Sequence, residues 1–152
     1  MISRRAFLLL GIAGPAYAQL PPNIAEIRKA ALDEAVRKVV GNATVHAGRV
    51  KIDIPPLIDN GNTVPLSVEV ESPMTAADHV KAIHVFTERN PQPYVLTVHL
   101  GPRAGRAQIA TRARIGDTGE VMAIAQMSDG SFWSDSVKVV VTLSACLEEG
   151  LI

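Results

Sequence analysis

Val64-Pro65-Leu66-Ser67-Val68-Glu69-Val70-Glu71 decides how the rest of the chain is to be read. Val64, Leu66, Val68 and Val70 alternate with Ser67, Glu69 and Glu71, so an extended backbone puts the apolar side chains on one face and the polar ones on the other. The same period returns downstream. Ile109, Thr111, Ala113 and Ile115 alternate with Gln108, Arg112 and Arg114, and Val137, Val139, Val141 and Leu143 alternate with Ser136, Lys138 and Thr142. These are half-buried strands with one solvated face.

The punctuation between them agrees. Asp59-Asn60-Gly61-Asn62, Gly116-Asp117-Thr118-Gly119 and Ser128-Asp129-Gly130-Ser131 are turn sequences in which Gly or Asn can supply positive φ. Asn90-Pro91-Gln92-Pro93 and Gly101-Pro102-Arg103-Ala104-Gly105 read as longer loops. About seven strands are predicted, near 49–54, 63–71, 79–87, 94–100, 106–115, 120–128 and 131–144. The expected fold is all-β: an immunoglobulin-like antiparallel β-sandwich of about seven strands with an N-terminal helix.

That helix is predicted from about Asn23 to Val40. Asn23 is the N-cap candidate, Glu26 sits three residues on, and Gly41-Asn42 is the stop. Ile24, Ile27, Ala31, Ala35 and Val39 recur at three- and four-residue spacing and form the expected buried stripe. Ahead of it, Leu20-Pro21-Pro22 reads as a stiff linker.

The first 18 residues have the parts of a secretory signal: a basic start at Arg4-Arg5, an apolar centre from Phe7 to Gly14, and a small-x-small end at Ala16-Tyr17-Ala18. Ser3-Arg4-Arg5-Ala6-Phe7-Leu8 fits the twin-arginine address, which carries already folded proteins. Cleavage is expected after Ala18, giving a periplasmic protein with no membrane anchor in the mature chain. The expected organisation is a signal peptide at 1–18, linker and helix at 19–48, the β-sandwich at 49–146 and a C-terminal tail at 147–152.

Composition removes some function classes. Fifteen Lys plus Arg balance 15 Asp plus Glu, and aromatics are 4%, so neither the basic face nor the stacking aromatics of a nucleic-acid binder are present. The four histidines, His46, His79, His84 and His99, have no close i, i+2 or i, i+4 pairing, and Cys146 is the single cysteine. No metal site and no cofactor are therefore expected. A nucleophile-elbow pattern and a Gly-rich phosphate loop are both lacking, which argues against an enzyme in its own right.

Cys146 cannot make an internal disulfide, so in an exported chain it points to intermolecular pairing or a reactive thiol. The alternative is a buried thiol packing as a small hydrophobe. If 137, 139, 141 and 143 face the core, Lys138, Thr142, Ser144 and Cys146 fall on the outward side, which favours an accessible thiol near a chain end. Phe132-Trp133 is the only adjacent aromatic pair and is a partner-interface candidate, with a core role as the alternative.

Val50-Lys51-Ile52-Asp53-Ile54-Pro55, Asp59-Asn60-Gly61-Asn62-Thr63-Val64-Pro65, Ser72-Pro73-Met74-Thr75-Ala76-Ala77-Asp78-His79-Val80 and Ile83-His84-Val85-Phe86 together resemble the SoxY sulfur-oxidation carrier family. Gly101-Pro102-Arg103-Ala104-Gly105, Thr111-Arg112-Ala113-Arg114 and Met127-Ser128-Asp129-Gly130-Ser131 extend the resemblance in order through nearly the whole mature chain. It implies a heterodimer of two immunoglobulin-like subunits with a SoxZ-like partner in the periplasm. It also implies a C-terminal cysteine that holds thiosulfate-derived sulfur covalently and presents it to separate sulfur-oxidising enzymes. The carrier itself turns nothing over.

One departure bears on that role. Where the family carries Gly-Gly-Cys-Gly-Gly, this chain has Ser144-Ala145-Cys146-Leu147-Glu148, followed by Glu149-Gly150-Leu151-Ile152. The thiol keeps its register, but its glycine neighbours are gone, which stiffens the segment. Glu148 and Glu149 add negative charge that disfavours a thiolate and repels a dianionic substrate. Two readings therefore stand: a carrier loaded on Cys146, and a SoxY-like paralogue acting as a non-carrier binding or assembly partner in another periplasmic oxidation system.

Overall fold

A computed structural model of the chain describes residues 23–144. The signal peptide expected at 1–18, the Leu20-Pro21-Pro22 linker, Cys146 and the tail at 147–152 lie outside the described residues.

The helix α1 spans Ile24–Val40. Asn23 caps it, its side chain accepting from the Glu26 N–H at 3.1 Å, and the Gly41 N–H closes the other end on the Arg37 carbonyl. The strands follow in order: β1 Val45–Ala47, β2 Val50–Asp53, β3 Leu57–Ile58, β4 Val64–Val70, β5 Val80–Thr87, β6 Tyr94–His99, β7 Gln108–Ala113, β8 Gly119–Met127 and β9 Phe132–Val141. All seven expected strands are present. β1 and β3 are two short additions.

The large sheet has the order β1-β9-β8-β5-β6, with β3 also paired to β9, and the smaller one has the order β2-β4-β7. The seven expected strands pair antiparallel, whereas β1 and β3 run parallel to β9. β1 lies against Phe132–Ser134 and β3 against Val140–Val141, so the free edge of β9 is covered in two pieces. Between these pieces the chain crosses to the other sheet as β2. Asp135 fills the gap: its Oδ2 accepts the Ile52 N–H at 2.9 Å.

The core lies between the sheets. β4 buries Val64, Leu66, Val68 and Val70, the alternation seen in its sequence, against Ile83 and Val85 of β5, Val121 and Ala123 of β8, and Val139 of β9. β5 is covered on both faces over most of its length: Ile83 and Val85 enter this core, as does Val80 ahead of a bulge, and Ala82, His84 and Phe86 turn outward beneath a second layer. There Leu32 of α1 packs with Phe86, Ile124 and Phe132.

Three details differ from the pattern in the sequence. Only the C-terminal half of α1 lies on the sheet, with Leu32 buried and Ala35, Val36, Val39 and Val40 beside it, while Ile24 and Ile27 are 56% and 42% exposed. A repeat shows which residues share a face but not how far the partner surface extends. Thr111, expected to point inward, is exposed because β7 is the edge of a three-stranded sheet. Leu143 lies beyond the end of β9 and is 55% exposed; the inward series stops at Val141.

Candidate functional site

Three places carry the chemistry-bearing side chains. The first is the end of β9, from which the chain continues to Cys146. The Val141 N–H donates to Thr118 Oγ1 at 2.9 Å, and the Thr142 N–H donates to the Ile58 carbonyl at 2.9 Å. Thr142 Oγ1 donates to the Asp59 carbonyl at 3.0 Å, and the Leu143 carbonyl accepts the Gly61 N–H at 2.9 Å. Ser144 Oγ reaches Asp117 Oδ1 at 3.5 Å. The backbone is thus tied to β3 and to the turn at 59–61 as far as Leu143, and the Ser144 side chain reaches the turn at 117–118 two residues before the cysteine. Exposed Leu57, Val140 and Leu143 lie in this region.

The second place is the start of β9. Trp133 is half-buried and packs against the inter-sheet core. The His46 ring lies 5.1 Å from it, and the Arg49 guanidinium sits 5.0 Å above it in a cation–π contact. Gly48 and Arg49 both have positive φ, at 101° and 58°, and this tight turn carries the chain from β1 to β2 beside the indole. Trp133 Nε1 donates to Ser131 Oγ at 3.1 Å. The Ser131 hydroxyl and N–H both donate to Asp129 and, with Arg49 nearby, hold that carboxyl below its usual range. Trp133 is therefore a corner residue with one face in the core and the other under Arg49. Its neighbour Phe132 is 6% exposed, facing α1, and offers no open surface while the helix is in place.

The third is His84. Its Nδ1 lies 2.6 Å from Thr97 Oγ1, and the same hydroxyl is bonded to the Tyr94 hydroxyl. Burial, and then the proximity of His99, push its pKa below the ordinary imidazole value. From spacing alone His84 is an ordinary strand residue. The signal that could have singled it out is its place in Val80-Lys81-Ala82-Ile83-His84-Val85-Phe86, an apolar run too dense for a strand with one wet face. The other histidines are dispersed, His46 on Trp133 and His79 with its Nδ1 near the Thr75 carbonyl, and among the described residues no three His, Cys, Asp or Glu converge as a metal site.

The family model described as sulfur oxidation protein SoxY matches residues 36–146, a span that closes on Cys146. No curated protein matches the sequence. Among solved structures, the chain is similar to the sulfur carrier protein SoxY from Chlorobium limicola f thiosulfatophilum. That match has 24% identity and a TM-score of 0.63, covering 76% of this chain and 99% of the other. It is also similar to a superoxide reductase (neelaredoxin) from Ignicoccus hospitalis, with 15% identity, a TM-score of 0.57 and coverage of 64% and 94%. A putative superoxide reductase from Thermotoga maritima follows at 20% identity and a TM-score of 0.53, covering 64% and 87%. At these identities the structural likeness speaks for the fold, and one sandwich evidently serves more than one chemistry.

Proposed function

This chain belongs to the SoxY family, and from that premise we propose that it is a periplasmic sulfur carrier loaded on Cys146. The observation that carries the reading is the family match running through to the cysteine itself. The hydrogen bonds that hold the chain to Ser144 support it, because they give the thiol a fixed point of departure beside a rigid sandwich. The working group is the thiolate, which is the nucleophilic form of cysteine. Joining the thiol to thiosulfate forms one S–S bond and releases one proton and two electrons. An oxidising partner enzyme must accept those electrons, so the carrier role requires separate sulfur-oxidising enzymes. A SoxZ-like subunit is the proposed heterodimer partner, and export by the twin-arginine signal at 1–18 is the proposed route.

The replacement of the glycine arm by Ser144-Ala145-Cys146-Leu147-Glu148 favours a second reading, a paralogue that binds or assembles without carrying sulfur. Intact mass spectrometry after incubation with thiosulfate and the cognate enzymes separates the two. A thiosulfate-derived adduct on the unaltered protein, absent from Cys146→Ser, is the expected result. A naked thiol under conditions that load an authentic carrier retires the carrier reading and leaves the paralogue.

A further inference from the structure

The seam between α1 and the outer face of the large sheet holds a histidine that the sulfur chemistry does not use. His84 is in register with Thr97 on β6 and Ile124 on β8, and it shares its face with Phe86, so it lies in the layer on which Leu32 packs. The side chain is 7% exposed. While Nδ1 is bonded to Thr97, Nε2 is buried and has no hydrogen-bond partner among the described residues. The helix above is lightly seated. Leu32 is its one buried residue, and a groove of about 270 Å³ runs between Leu32, Val36, Val40 and Met122.

We propose that His84 makes the docking of α1 sensitive to protons: the neutral imidazole lets the helix close on Phe86, Ile124 and Phe132, and protonation lifts it and uncovers that apolar surface. The charged ring would present two N–H donors. Thr97 can accept from one; the other has no acceptor among the described residues, and an unmet charged donor is expensive to bury. The surrounding charges give no relief. His99 and Tyr94 face His84 from β6, and on α1 the half-buried Arg28 lies one turn before Leu32. On β8 the nearest carboxylate of this face is Glu120, four residues beyond Ile124 and opposite Lys138 of β9. Asp33 and Arg37 of α1 line the groove beside Met122, and Asp33 is paired with Lys29 at 3.4 Å; among the described residues no carboxylate is hydrogen-bonded to His84 Nε2.

The direction of the pH dependence follows. The closed form favours neutral His84, whose folded pKa lies below the ordinary imidazole value of 6.5. The stability of the closed form is therefore fully present above that unperturbed value and is lost as pH falls through the lower folded value. A histidine is suited to this task because ordinary environments move its titration across the range where cells and their compartments differ.

Hydrogen exchange on the purified protein at about pH 7.5 and about pH 5, corrected for intrinsic exchange chemistry, tests the proposal. The amides of Val36–Val40 are expected to lose protection several-fold at the lower pH while those of β4 do not. In His84→Gln the difference should disappear. A nuclear magnetic resonance titration of the unaltered protein supplies a second measurement that needs no variant: the His84 ring and the α1 amides should titrate together. Equal losses in α1 and β4, an unchanged helix response in His84→Gln, or a His84 titration that the helix amides do not follow would each overturn it.

Discussion

The two faces of the large sheet are built on different principles. The inner face meets β4 and its neighbours through Ile83, Val85, Val121, Ala123 and Val139, all fully buried in one continuous apolar cluster. The outer face is covered by α1, and its buried apolar cluster is Leu32, Phe86, Ile124 and Phe132. β5 belongs to both, sending Ile83 and Val85 one way and His84 and Phe86 the other. Interior apolar area stabilises at about 25 cal/mol per Å². The inner face therefore holds the fold together, while the outer face is thin enough for a single buried polar group to influence it.

Truncation should separate the two faces most clearly. Ile83→Ala removes a fully buried side chain between closely packed sheets and should lower unfolding stability by about 2–5 kcal/mol. Leu32→Ala should cost less, about 1–3 kcal/mol, because a lightly held helix can settle into the vacated space. Its effect should also register as local exchange in α1. Denaturant unfolding with exchange on both variants measures this, and equal global effects would erase the distinction between the faces.

A second comparison lies at the edge of β9, where the inner face is closed by one carboxylate. Asp135→Ala leaves the Ile52 N–H without its acceptor and should lower stability by about 1–3 kcal/mol, whereas Asp135→Asn, which keeps an acceptor oxygen, should recover most of it. Urea midpoints of the three proteins provide the measurement. A drop in Asn as large as in Ala would mean that the charge, rather than the hydrogen bond, closes the gap between β1 and β3.

The same contrast explains what is legible in the sequence. Period-two alternation marks β4 and β9, because one face of each strand is wet and the other dry along most of its length. β1 and β3, at three and two residues, are too short to carry a period, and they form because β9 leaves an edge open to them. The stripe on α1 is legible as a stripe, but its reach is not, so Ile24 and Ile27 read as part of a contact that in fact begins at Leu32. Cys146 is singled out by its solitude, its register and the family pattern, and it lies beyond the described residues, so its role stays a proposal. Trp133 is packed on the core on one side and capped by Arg49 on the other, an arrangement its own strand does not reveal. A residue's sidedness at a sheet corner depends on the turn that folds over it, here Gly48-Arg49, and not on its own strand.

The smallest expected effect tests how far the outer face extends along the helix. Asn23 caps α1 through the Glu26 N–H, yet the first turn it protects carries exposed Ile24 and Ile27 and lies clear of the buried cluster. Asn23→Ala should therefore lower helix stability by about 0.5–1 kcal/mol, visible as faster exchange of the first-turn amides. The urea midpoint should stay close to that of the unaltered protein, because the packing that resists global unfolding begins a turn and more further along, at Leu32. Should the midpoint fall by as much as it does for Leu32→Ala, the start of α1 is coupled to the sheet, and the helix is seated along its whole length rather than by its C-terminal half.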